Sequence, residues 1–199
     1  MPNEPAQNDS RRTTGQVTAF LARWRVASGF LFGALVYWVA SPSRTTLAAG
    51  AVIAGIGEAL RIWAAGHLHK SREVTTTGPY RWVAHPLYVG SSVVGAGLAV
   101  ASGSLVVAAL IALYLSVALT AAARQESAYL SRTFGEEYDR YRRGDVDGAG
   151  RSASGSAARP EGASRRFSLA RAVANHEHRA LIGLLLAALL LALKVGANV

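Results

Sequence analysis

The 199 residues include no cysteine, which excludes a disulfide framework, a thiolate metal site and a cysteine nucleophile. Acidic residues are scarce, 12 Asp and Glu against 21 Lys and Arg, giving a formal net charge of +9. The basic residues flank apolar runs and do not gather on one polar domain, so an anionic membrane surface accounts for them better than nucleic acid does. Histidine is present five times, but His67/His69 and His176/His178 are i, i+2 pairs that point to different faces of a helix. No metal site is expected from them. Gly55-Ile56-Gly57 and Gly95-Ala96-Gly97 lie in apolar runs and do not complete GxGxxG, so no Rossmann-type nucleotide domain is expected.

What the chain has in quantity is hydrophobic sequence, 51% of its residues, in blocks too long and continuous for a soluble core. They predict an all-α fold: a polytopic integral-membrane helical bundle of about five transmembrane helices plus a cytoplasmic interfacial helix. Residues 1–19 are polar and aperiodic and are expected to form a disordered tail. A membrane core follows over 20–143, with helices at about 20–40, 46–65, 86–101 and 104–123 and a cytoplasmic helix over 124–143. The first helix is expected to be retained, since no small-residue cleavage site stands out. Residues 144–164, rich in Gly, Ser and Ala, predict a flexible linker, and 165–199 an interfacial basic segment followed by the last transmembrane helix. With the amino terminus cytoplasmic, only Arg44 and Lys194 of the 21 Lys and Arg lie outside and Arg61 lies in the membrane, leaving 18 inside. The positive-inside rule therefore predicts a cytoplasmic amino terminus.

The chemistry concentrates in Gly78-Pro79-Tyr80-Arg81-Trp82-Val83-Ala84-His85-Pro86-Leu87-Tyr88-Val89-Gly90, a polar and aromatic loop between two apolar runs. Pro86 suits the first turn of the helix that follows, where its missing N–H costs nothing, and this sets His85 at a helix mouth beside unpaired backbone donors. Tyr80, Trp82 and Tyr88 also fit an interfacial aromatic belt, and His85 alone is an ordinary helix-cap residue. Glu58 and Arg61 stand three apart inside an apolar run and share a helix face, as an internal ion pair or as the polar wall of a site. Leu130, Phe134, Tyr138 and Tyr141 form an amphipathic stripe that includes Glu126 one turn earlier, while Glu136 and Asp139 are expected to face water. Gly90, Gly95 and Gly97 would let a helix, or a bound ligand, approach the third span closely.

Glu58-Ala59-Leu60-Arg61-Ile62-Trp63-Ala64, Gly78-Pro79-Tyr80-Arg81, His85-Pro86-Leu87-Tyr88-Val89-Gly90, Glu126 and Phe134-Gly135-Glu136-Glu137-Tyr138-Asp139-Arg140-Tyr141 occur in this order. Together they resemble the isoprenylcysteine carboxyl methyltransferase family, whose relatives include phospholipid amine methyltransferases. The resemblance implies an integral-membrane methyltransferase with S-adenosylmethionine as cofactor at the cytoplasmic face and a lipid-like substrate reached from the bilayer. It implies cofactor binding by Tyr80, His85, Pro86, Tyr88, Gly90 and Glu126, catalytic roles for Glu126, His85 and Arg81, and substrate contacts at Glu58, Arg61 and Gly95. Physically, a cationic sulfonium suits aromatic faces and a carboxylate. The family pattern has Arg at the position of Ala84, a second Glu at that of Ser127, and a Pro-containing tail where this chain has Arg142-Arg143-Gly144-Asp145. The methyl acceptor, a carboxylate, an amine or a hydroxyl, stays open. Other readings are an NADPH-dependent membrane reductase of sterol-reductase type, which should need more basic residues than Arg81 for a 2′-phosphate, and a non-catalytic membrane scaffold. The sequence gives no sign of an obligate protein partner or of nucleic-acid binding.

Overall fold

The computed structural model describes residues 31–69, 74–145 and 166–197. The expected tail over 1–19, the first part of the 20–40 helix and most of the 144–164 linker lie outside the described residues. Residues 31–39 are helical (α1) and belong to a unit of their own.

The second unit begins at Ala40. Ser43 caps helix α2 (Arg44–His67) by accepting from the Thr46 N–H, while the Thr46 hydroxyl oxygen accepts from the Ser43 N–H. Such a reciprocal cap satisfies donors that the first turn leaves orphaned. After a single 3-10 turn at Gly78–Arg81, helix α3 (Pro86–Ala101) starts on proline, and Gly103 beyond its end, with φ 63°, reverses the chain into α4 (Leu105–Phe134). A short helix α5 (Glu136–Arg142) follows, then α6 (Leu169–Ala174) and α7 (Glu177–Ala197). No strand occurs among the described residues.

Three of these helices, α2, α4 and α7, are long and apolar enough to cross a membrane. At 16 residues, α3 rises about 24 Å, short of the ~30 Å hydrocarbon layer. Of the about five spans expected, the described residues hold three full-length candidates plus a shorter apolar helix, the first part of the expected 20–40 helix lying outside them. A second difference concerns the expected break between 104–123 and 124–143. No residue near 123 stops a helix, and α4 runs on as one 30-residue element to Phe134. Gly135, with φ 51°, makes the break instead, in a conformation that a side chain disfavours.

Glycines decide how α2 and α3 meet. A Cβ at Gly57 would sit 2.6 Å from the Val94 backbone nitrogen, and one at Gly97 would sit 2.4 Å from that of Ala54. Gly50 and Gly90 are equally crowded, by Gly97 O and by Gly57 O. The two backbones therefore approach as small-residue membrane helices do. Their outward surfaces stay apolar, with Val52 and Ile56 on α2, Leu113 and Val117 on α4, and Ile182, Leu185, Leu186 and Leu189 on α7 all exposed. In water that much apolar surface would be costly, whereas a bilayer accommodates it.

Candidate functional site

A cavity of about 550 Å³ opens where the polar loop, the start of α3 and the polar end of α4 converge. Four of the six expected cofactor-binding residues line it: Tyr80, His85, Tyr88 and Glu126. Helix α5 folds back to close one side. Its Tyr141 is buried and its hydroxyl donates to the carbonyl of Tyr80 at 2.8 Å, tying the 3-10 turn in place. Tyr138 and Tyr141 pack with Val74, against Leu130 and Phe134 of α4. The amphipathic stripe is thus real, but it closes through the turn at Gly135 and not along one straight helix. Glu136 and Asp139 lie on the exposed side as expected.

At the mouth of α3 the His85 ring stacks on Tyr88, centroids 5.3 Å apart. Its Nδ1 lies 3.3 Å from Glu126 Oε2, and its Nε2 3.3 Å from Ser127 Oγ. Tyr138 donates to the same Ser127 oxygen at 3.0 Å, and Tyr88 hydrogen-bonds Glu126. A direction follows from these partners. An ionised carboxylate only accepts, so His85 Nδ1 carries the proton toward Glu126; in the neutral imidazole Nε2 then accepts from Ser127, while Ser127 accepts from Tyr138. Ser127, a departure from the family pattern, is thereby built into a chain Tyr138–Ser127–His85–Glu126. Burial first, and then the Glu126 carboxylate among neighbouring groups, holds the Tyr80 phenol above its usual range. Burial, then Tyr138 and Glu126, push Tyr141 up to about 12. Both therefore remain neutral donors at physiological pH.

The anion site expected at the α3 mouth is smaller than the sequence suggests. The N–H groups of Tyr88 and Val89 both turn to the His85 carbonyl, at 3.0 and 3.2 Å, so two first-turn donors are already used.

The remaining sequence candidates stand elsewhere. Pro86 is fully buried as the first residue of α3. Gly90 is at the α2–α3 contact, where a Cβ would meet Arg61 Cγ at 2.6 Å and Gly57 O at 2.9 Å; it serves packing and does not line the cavity. Arg81, expected to be catalytic, is exposed and outside the lining, because the 3-10 turn that points Tyr80 inward points the next residue out. Gly95 faces α4 beside Leu115 in a separate cavity of about 400 Å³ between α3 and α4. Of the three glycines expected to let a helix or a ligand approach the third span, Gly90 and Gly97 are covered by α2.

Glu58 and Arg61 do form an ion pair, at 3.4 Å, but the pair has a partner that the sequence did not suggest. Glu177, in the first turn of α7, accepts from Arg61 Nη2 at 2.9 Å and from Nε at 3.2 Å, and Arg61 also donates to Ser91 Oγ. Glu177 and Asn175 line the main cavity. No spacing rule links residues more than a hundred positions apart; a lone acid opening an apolar run was the only available signal.

Among the described residues no three His, Asp or Glu side chains come together as a metal site. The nickel-cobalt-cadmium resistance protein NccN of Alcaligenes xylosoxydans xylosoxydans is 35% identical over 130 residues, 60% of this chain and 59% of that protein. The cobalt-zinc-cadmium resistance protein CzcN of Cupriavidus metallidurans is 34% identical over 130 residues, 59% of this chain and 58% of that protein. The chain thus matches a little under three fifths of the length of these relatives. No solved structure matches it. The phospholipid methyltransferase family matches residues 24–137, a stretch that contains the glycine-packed α2–α3 pair, the loop and the His85–Glu126 contact. By that match the chain belongs to the phospholipid methyltransferase family.

Proposed function

We propose that the protein is an S-adenosylmethionine-dependent methyltransferase acting on the polar head of an amphiphile, isoprenoid or lipid-like, at the cytoplasmic face of a membrane. The observation that carries this reading is the His85–Glu126–Tyr88 cluster at the mouth of a cavity whose size is ordinary for a small-molecule site. The lining suits the donor: carboxylates and tyrosine faces favour a sulfonium, and the polar loop supplies hydrogen-bonding groups for the rest of the molecule. Bound there, the donor supplies an electrophilic methyl group. The protein's own part is positioning. Tyr141 and Tyr138 fix the loop and Ser127, and they in turn hold the His85 ring against Glu126. Such pre-set geometry is what a transfer between two bound partners chiefly needs. Glu126, partly exposed at the cavity, is the residue best placed to orient or deprotonate an acceptor head.

The apolar helices favour an acceptor carried in the bilayer, because a soluble acceptor gains nothing from such a scaffold. The apolar cavity between α3 and α4, bordered by Gly95 and Leu115, is a candidate for its tail. The cytoplasmic orientation rests on the loop charges. A reductase binding NADPH is less favoured, since the described lining residues include two glutamates and neither Arg nor Lys. The relatives are named for metal resistance; in this chain such a role would act through methylation of a membrane component.

Calorimetry on detergent-purified protein tests the reading. S-adenosylmethionine should bind and NADPH should not; NADPH binding without the methyl donor would replace this assignment with the reductase.

A further inference from the structure

One wall of the cavity comes from outside the stretch that carries the family. Residues 24–137 match it, whereas Asn175 and Glu177 belong to the α6–α7 segment. That segment is attached closely to the end of α2. The Phe167 ring lies over Gly66, where a Cβ would meet it. The Ser168 N–H and the Arg171 guanidinium donate to the Gly66 carbonyl at 3.1 and 2.8 Å, and the Asn175 amide donates to the carbonyls of Ala65 and Leu68 at 2.9 and 3.1 Å. These carbonyls are acceptors that a helix end leaves open, so α6 caps α2. Glu177 then reaches Arg61 from the first turn of α7.

Two acids face one base. Glu58 and Glu177 share the single guanidinium of Arg61, both residues are buried at 4% and 8% exposure, and Glu58 Oε1 has no hydrogen-bond partner. With both carboxylates ionised one negative charge is in excess, which is costly in a buried site unless something offsets it. Of the two carboxylates it is Glu177 that lines the cavity, on which Glu126 also opens, and no Arg or Lys lines it among the described residues.

We propose that Glu177 is a specificity-determining residue: it makes the cavity favour a cationic ligand over its neutral counterpart, so that the methyl donor is held more tightly than the product left after transfer. The proposal rests on the methyltransferase reading above. In transfer a lone pair of the acceptor head forms the new bond to the methyl carbon as the C–S bond breaks and its electron pair stays on sulfur, so the sulfonium becomes a neutral thioether. The attraction from Glu177 is then lost, and product release is favoured. The residue that does this lies in a segment with no part in the family match.

Calorimetric affinities for S-adenosylmethionine and S-adenosylhomocysteine on the full chain in detergent test it, in wild type, Glu177→Gln, Glu58→Gln and Asn175→Ala. In general, a unit charge ~10 Å from a cation, at an effective dielectric constant of about 20, changes the cation's affinity roughly tenfold. Glu177→Gln should therefore weaken the cationic ligand about tenfold and leave the neutral one within about twofold. Asn175→Ala loosens the segment without touching charge, and should move both affinities together. If Glu177→Gln does not fold, Glu58→Gln removes the same excess charge and must lower the same ratio. A ratio unchanged in the glutamate variants, or both affinities falling alike, overturns the proposal while leaving the methyltransferase reading in place. Wild-type protein that binds neither compound overturns both.

Discussion

Gly90 separates two accounts of the same residue. The family resemblance assigns it to the cofactor pocket, whereas the structure uses it to bring α3 against α2. In Gly90→Ala the new Cβ would stand 2.6 Å from Arg61 Cγ, 2.9 Å from the Gly57 carbonyl oxygen and 3.2 Å from the Arg61 nitrogen. Two of those atoms are backbone, and the third belongs to a side chain held by Glu58, Glu177 and Ser91. None can move cheaply, so the helices must separate, at a cost of about 1–3 kcal/mol, typical of overpacking in a tight interior. Converted at ~2–4 °C per kcal/mol for a chain of this size, the melting temperature should fall by roughly 2–12 °C. The control lies on the same helix pair: Gly55 has nothing within 4 Å of a built Cβ, so Gly55→Ala should be neutral or stabilise by up to ~1 kcal/mol through helix propensity. Tryptophan fluorescence during thermal unfolding in detergent is the assay, since the chain has no cysteine for a thiol-reactive dye. The reasoning fails if Gly90→Ala melts like wild type yet loses affinity for S-adenosylmethionine, because the glycine would then serve the ligand and not the packing.

Four further outcomes are expected. His85→Ala and Glu126→Gln each remove a charge-assisted contact and should weaken S-adenosylmethionine binding by about 1.5–3 kcal/mol, roughly ten- to a hundredfold, with the fold retained by circular dichroism. Tyr141→Phe leaves the Tyr80 carbonyl without its 2.8 Å donor and should cost about 1–3 kcal/mol, with KM raised more than kcat is lowered. The Tyr141 phenol is raised from 10.0 to about 12 in the folded state, so its contribution to stability is complete below about pH 10 and disappears as pH rises toward 12; thermal melts across that window should fall more steeply in wild type than in Tyr141→Phe. A reporter fused after Arg143 should signal cytoplasm, and an external signal would reverse the proposed orientation and move the candidate site to the other face of the membrane.

Composition and periodicity alone were enough for the helical, membrane-embedded class, because uninterrupted apolar runs have few other stable outcomes in this length range. Local chemistry was equally legible: Pro86 opens α3 where a proline is tolerated, and the residue types around His85 pointed to the loop that the cavity is built on. The extent of α4 was not legible, since nothing in 121–126 resists a helix and the sequence cue of a polar onset says only where the environment changes. Nor could the sequence say which glycines face a helix and which face a ligand, for a missing Cβ reads the same in either role. Ser127 looked like a substitution until folding back at Gly135 brought Tyr138 to it. Glu177 lies 116 residues beyond Arg61, and only packing of the last helix pair against the end of α2 makes them neighbours. Tertiary structure decided these matters because they depend on contacts between segments whose separation along the chain carries no periodic signal.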